Sequence, residues 1–318
     1  MTMPAKLLLT MSLTVIILFG FLFAMLAAIG YFFDLSVYMI VALAVTLVVI
    51  QWAIGPAIIR MTTNMRPLGR SELPWLQEEV RGLCKKNKIP VPKIFVANSG
   101  APNAFTFGRT QGSATLVVTN GLLEMLSKDE VKSVVAHEVG HIKHSDMVVM
   151  TVVSVVPMIA YYVYVSLFYA PRGNDRNRGG EAAIIGVGAF VVYFVSNLLV
   201  LALSRLREYY ADGFSGENVR PALLASALAK ITYGLSMSRD EARPATRAFM
   251  IADPEVARSE LASLSPSYAD MQLSDKELKD AMTWEEKNIF SRMGELFRTH
   301  PLTYKRIRAL KDMEEAKA

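Results

Sequence analysis

Three of the four histidines in this 318-residue chain lie in the stretch "VVAHEVGHIKH", positions 134 to 144. Within it, His137-Glu138-Val139-Gly140-His141 reads H-E-x-x-H. On a helix, positions i and i+4 stand one above the other on one face, so two imidazoles come within reach of one metal ion. Glu138 then points toward a water held by that metal. With this arrangement a zinc ion holds a nucleophile while a carboxylate removes its proton. Two imidazoles leave such a site short of protein ligands. "SRLREYYAD", positions 204 to 212, offers Glu208 and Asp212, four apart and on one helix face. Glu208 can complete the zinc site with a fourth position left to water. Asp212 can accept the other N–H of a ligating histidine and fix its tautomer.

Plainer readings compete with this chemistry. A pattern with three fixed positions recurs by chance, and Glu208 and Asp212, beside Arg205 and Arg207, read alone as solvated charges. The two motifs together outweigh those readings. His144 returns, seven residues after His137, to nearly the same face. It reads as a helix-end histidine favoured by the negative end of the dipole. A scheme with a third histidine six residues after His141 fails, because position 147 is Met.

A helix must carry the first motif. Ser127 and Glu130 form a capping-box pattern, and Val131, Val134, Val135, Val139 and Ile142 fall on its buried side. Upstream, "SELPWLQEEVRGLCKKN" reads as a helix, Lys93 to Asn98 as a short strand, and "SATLVVTNGLLEML" as a strand running into a helical turn. Cys84, the one cysteine, falls at the end of the amphipathic helix and reads as structural, with no intramolecular disulfide possible.

The chain is 52% hydrophobic and 20% charged, too apolar for an ordinary soluble domain. Four stretches lack any charged residue: Leu7 to Phe33, Leu35 to Ile59, Met147 to Pro171 and Ala182 to Ser204. Each exceeds the roughly 20 residues that cross a bilayer core as a helix. The first pair reads as an uncleaved membrane hairpin. The loop around Asp34 has no Lys or Arg, while Arg60, Arg66 and Arg70 follow the second run, which puts the polar region in the cytoplasm. The second pair is joined by "RGNDRNRGG", whose arginines do not suit an external loop, so it either crosses or lies buried without crossing. In both cases a hairpin returns Glu208 to the side of His141. The net charge of +5 has no aromatic-rich basic tract, so nucleic acid is not indicated and the lipid bilayer is the expected partner. A metal transporter would need ionisable groups in the apolar runs, where Gln51 and Asn197 are the only strongly polar side chains. An inactive scaffold would have lost the base or a ligand, and all four positions are filled.

The chain resembles the HtpX-type membrane-bound zinc metalloproteases, relatives of the type-one CAAX prenyl proteases. The resemblance rests on "NAF" at Asn103, Ala104 and Phe105, "HEVGH" at 137 to 141, "SRLREYYAD" at 204 to 212, and His300-Pro301, with the apolar pairs bracketing the first motif. It implies a mainly α membrane protein: two transmembrane helix hairpins plus a zincin-like (gluzincin) α+β cytoplasmic protease domain. The expected division is a hairpin over 1–59, the first part of the protease domain over 60–146, a second apolar hairpin over 147–204, and the rest of the protease domain over 205–318. The implied activity is that of a zinc metalloendopeptidase in a prokaryotic cell membrane. It would cut misfolded or damaged membrane proteins or other unfolded chains in stress response and quality control. Carried across, His137, His141 and Glu208 bind one Zn2+ per subunit, Glu138 is the general base, and Asp212 supports a ligand. "NAF" would hold substrate by strand addition. His300 would lie near the cleft, where an imidazole N–H can stabilise an oxyanion. The competing reading for His300 is structural, with Thr299 capping and Pro301 starting a final helix whose stripe is Tyr304, Ile307 and Leu310. "RSELASLSPSYADMQ" matches no motif of the family.

Overall fold

The computed structural model describes residues 5–33, 37–168, 176–235, 282–283 and 285–317. The loop around Asp34, the start of the second inter-helix loop and the segment "RSELASLSPSYADMQ" lie outside the described residues. The protein is mainly helical, with a small sheet and four helices long and apolar enough to cross a membrane. It divides into two compact units, one of residues 1–54 and 148–206, the other of residues 55–147 and 207–318.

The first unit holds α1 (Ala5–Phe33), most of α2 (Val37–Thr62), nearly all of α6 (Asp146–Val153), α7 (Val155–Phe168) and the first part of α8 (Arg176–Asn218). Leu18 packs with Val153, Val156 and Leu203, and Met25 with Val155, Ile159 and Ala160. Outward-facing Phe23, Ile184 and Val187 stay 76%, 74% and 65% exposed, the face that lipid rather than water accommodates. Gln51 is polar, and its amide donates to the Ser154 hydroxyl at the α6–α7 break. The sequence reads "RNRGG" as loop, whereas α8 already begins at Arg176. Its two glycines cost about 1 kcal/mol each in a helix interior. Near an end, where the first N–H groups have no intrahelical partner, and ahead of a long apolar helix, that cost is tolerated.

The second unit is a four-stranded sheet with helices. β1 (Met65–Pro67), β2 (Lys93–Ala97), β3 (Ala104–Phe107) and β4 (Thr115–Thr119) are arranged β1-β2-β4-β3. β2 and β4 run parallel, while β1 and β3 pair antiparallel with their neighbours and form the edges. α3 (Pro74–Asn87), α4 (Asn120–Met125), α5 (Lys128–Lys143) and α9 (Pro221–Leu235) close a core that includes Leu76, Leu116, Val135, Val139 and Leu228. Cys84 belongs to this core, and burial pushes its thiol up to about 11. α5 starts at the expected capping box: Ser127 Oγ accepts from Glu130 N, and Glu130 Oε2 accepts from Ser127 N. The same carboxylate accepts from Ser226 and Lys230, which fastens α9 to the start of α5.

The chain ends in α10 (Ile289–Gly294) and α11 (Thr303–Glu315). Tyr304, Ile307 and Leu310 are buried as the stripe requires. The start of α11 differs from the sequence reading. Leu302, not Thr299, stands in the cap position, and Pro301 precedes the helix. The free N–H groups of Thr303 and Tyr304 donate instead to the Glu285 carboxylate, a cap brought in from a distant residue.

Candidate active site

α5 and α8 meet closely, and the glycine inside H-E-x-x-H explains how. A Cβ on Gly140 would stand 3.1 Å from Ala211 Cα and 3.1 Å from Phe214 Cβ. Glycine in a helix interior costs about 1 kcal/mol against alanine. Here it lets the α8 backbone pass directly over α5. Ala211 lies between Glu208 and Asp212, so that approach delivers both carboxylates to the histidine face. Ser215 Oγ, one turn further on, donates to Ser133 O at 2.7 Å and fixes the same crossing.

His137, Glu138 and His141 offer ligand atoms within 4.8 Å of one another. The Nε2 atoms of His137 and His141 are 3.1 Å apart, with the rings edge-on. Glu208 Oε2 is 3.6 Å from His137 Nε2, and Glu208 Oε1 is 3.5 Å from His141 Nε2. Donors at ~2.0–2.1 Å from a four-coordinate ion stand about 3.3 Å apart. The three donors therefore fit one metal ion. Glu208 Oε2 is buried and charge-compensated, with Arg306 Nη1 at 3.0 Å and His300 Nδ1 at 3.1 Å beside the two ligand imidazoles. Among the described residues of the site, His141 and His300 have the most exposed side chains, 15% and 22%, so the site is most open on their side.

A carboxylate lies behind each histidine. Asp212 Oδ1 lies 2.9 Å from His137 Nδ1, as the sequence suggests. Asp146 Oδ2 lies 2.6 Å from His141 Nδ1, a contact that sequence reasoning missed. It arises because Ser145 takes a left-handed conformation, φ 57°, which ends α5 and turns Asp146 back onto the preceding helix. Arg207 then bridges Asp146 and the His144 carbonyl. Carboxylates in this position fix the tautomer and raise the basicity of metal-binding imidazoles.

Arg306 is the second missed residue. It sits on the buried face of α11 at 2% exposure and reaches both α8 carboxylates. Nε and Nη2 donate to Asp212 at 2.8 and 2.6 Å, and Nη1 stands 3.0 Å from Glu208 Oε2. Burial opposes its charge, but Asp212 and Glu208 outweigh burial and hold it above the ordinary arginine value. His300 Nδ1 is 3.1 Å from Glu208 Oε2, and its Nε2 is buried with no hydrogen-bond partner among the described residues. His144 does stand at the C-terminal cap of α5, with its ring against Tyr210 and Phe214. Burial first, and the positive Arg207 second, push it down to about 4, so it is neutral and the expected dipole interaction of a charged imidazole does not form. Asn103 is buried just before β3, and Ala104 and Phe105 are buried at the start of that edge strand, which packs against α5.

A membrane-helix unit joined to a sheet-and-helix unit with this donor set defines a class, the membrane-associated metallopeptidases. The model of peptidase family M48 matches residues 70–314, and the chain belongs to that family. It is 40% identical over 243 residues to "Protease HtpX homolog" of Methanothermobacter thermautotrophicus, covering 76% of this chain and 91% of that relative. It is 35% identical over 284 residues to the protein of the same name from Aeropyrum pernix, covering 86% of this chain and 85% of the relative. The crystal structure of S. mikatae Ste24p shares the fold, with a TM-score of 0.50 at 19% identity over 96% of this chain and 67% of that one. The protein is thus a multi-pass membrane metalloprotease.

Proposed function

We propose that the protein is a zinc-dependent endopeptidase that cuts unfolded or damaged membrane proteins at a cytoplasmic site. The observation that carries this reading is the triangle of His137, His141 and Glu208 donors at 3.1–3.6 Å, with Glu138 beside it. Zinc bound there supplies a water of lowered pKa and an electrophile for the scissile carbonyl. Glu138, buried with its carboxylate within 4.8 Å of the His137 and His141 donors, takes the proton from the attacking water and returns it to the departing amine. Asp212 and Asp146 keep the Nδ1 protons of His137 and His141 in place, so that both Nε2 atoms face the same point. The buried Nε2 of His300 donates to the oxygen that becomes negative during attack. An extended substrate adds as a further strand to edge strand β3, next to Asn103, Ala104 and Phe105, which selects unfolded segments. Arg60, Arg66 and Arg70, just past the second apolar run, support the cytoplasmic orientation.

The test uses the purified full chain on unfolded casein. Cleavage should stop on chelation and return with zinc. Cleavage that continues in excess chelator, with the protein shown to be metal-free, would end the proposal.

A further inference from the structure

Apart from the metal site, the second unit contains a cavity of about 410 Å³ lined by Pro56, Ala57, Arg60, Lys93, Phe107, Gly108, Arg109, Gly112 and Ser113. Three cations line it, and among the described residues no acidic side chain does. The cations come from separate elements: Arg60 from the last turn of α2, Lys93 from the first residue of β2, and Arg109 from just past β3. The fold therefore gathers them, and no single charged helix face accounts for the cluster. Arg60 lies over the buried Phe107 ring at 5.9 Å, which sets its guanidinium at one wall. Gly108 lets the opposite wall close in, because a Cβ there would come within 2.9 Å of Ala114 Cα and Ser113 O.

Chain position decides what such a cavity takes. Arg60 is the first charged residue after the uncharged run Leu35 to Ile59, so it stands at the depth where lipid phosphates lie. Pro56 and Ala57, one turn earlier and still within that run, add apolar lining. A cavity that combines three cations with apolar lining at the end of an uncharged run suits a phosphate with acyl chains attached. We propose that this cavity binds the phosphate headgroup of an anionic phospholipid and so ties the sheet of the protease unit to the bilayer at the exit of α2. The site is independent of the zinc chemistry proposed above.

The experiment measures binding of a fluorescent phosphatidylglycerol to the full-length protein in neutral detergent micelles, against phosphatidylcholine and inorganic phosphate as competitors. The parent should bind the anionic lipid in preference to phosphatidylcholine, and inorganic phosphate should compete only weakly. Replacing Arg60, Lys93 and Arg109 with Gln should weaken binding by roughly fivefold per cation, about 100-fold for all three. Metal content, read on the same samples, reports whether each variant is folded. Should the triple variant not fold, Lys93→Gln alone, an exposed side chain, should still show the fivefold loss. Equal affinity for the two lipids, or variants that bind like the parent, overturns the proposal. Inorganic phosphate displacing the lipid at equal concentration marks a free-phosphate site and overturns the lipid assignment.

Discussion

Replacing Arg306 with Met keeps the stem of the side chain and removes its charge from between two buried carboxylates. In the parent, the guanidinium meets Asp212 at 2.6 and 2.8 Å and Glu208 at 3.0 Å, with all three groups at 5% exposure or less. Breaking a buried ion pair from one side costs about 3–5 kcal/mol, because the remaining charge is left uncompensated. For a unit of this size that corresponds to a fall of about 6–20 °C in Tm, at 2–4 °C per kcal/mol. Metal changes the balance, since a divalent cation beside Glu208 partly replaces the lost positive charge. Arg306→Met should therefore destabilise the metal-free protein much more than the loaded one. By linkage, the variant's affinity for metal should rise. The assay is thermal unfolding in detergent, with and without chelator. A fall below about 2 °C in chelator, or equal falls in both conditions, would refute the claim that Arg306 compensates these carboxylates.

Asp146→Asn should weaken metal affinity by about 10–100-fold while the metal still binds at high concentration, as equilibrium dialysis would show. His300→Ala should lower kcat by about 10²-fold with metal content and Tm nearly unchanged, and a parallel fall in all three would make His300 a packing residue. Glu130 gives a pH dependence away from the metal. Burial pushes its carboxyl up, but the bonds from Lys230, Ser226 and Ser127 outweigh burial and hold it below the ordinary value of 4.5. Its contribution is therefore full above that ordinary value and is lost as pH falls through the lower folded value. Thermal scans should show the parent losing more stability than Glu130→Gln between about pH 5 and pH 3, and parallel curves would contradict this.

The parts of the site that were legible in the sequence are those fixed by one helical turn. His137 with His141, and Glu208 with Asp212, are i, i+4 pairs, and helix geometry alone puts each pair on one face. β3 is an edge strand of the sheet, and the substrate-holding role that the resemblance gave to Asn103, Ala104 and Phe105 stands as a proposal. What could not be read locally depends on tertiary approach. Arg306 is 94 residues from Asp212, and only its place in the buried stripe between Tyr304 and Ile307 signals a charge that needs partners. Asp146 looks like the last polar residue before an apolar run, and the left-handed Ser145 is what turns it onto His141. The Thr299 cap failed for a similar reason, because the Glu285 carboxylate takes the α11 N–H groups from outside the local sequence. His144 was placed correctly at the helix end, but its burial against Tyr210 and Phe214 removes the charge that its position suggested.

The account turns on Glu138 acting as the proton carrier beside a metal held by other residues. Metal content and casein hydrolysis measured on the same preparation of Glu138→Gln test this most directly. The account predicts a full complement of zinc with turnover lowered by about 10²–10⁴-fold or more, since the donors on His137, His141 and Glu208 are untouched and only the base is lost. Zinc bound as in the parent with hydrolysis within a few-fold of it would contradict the account.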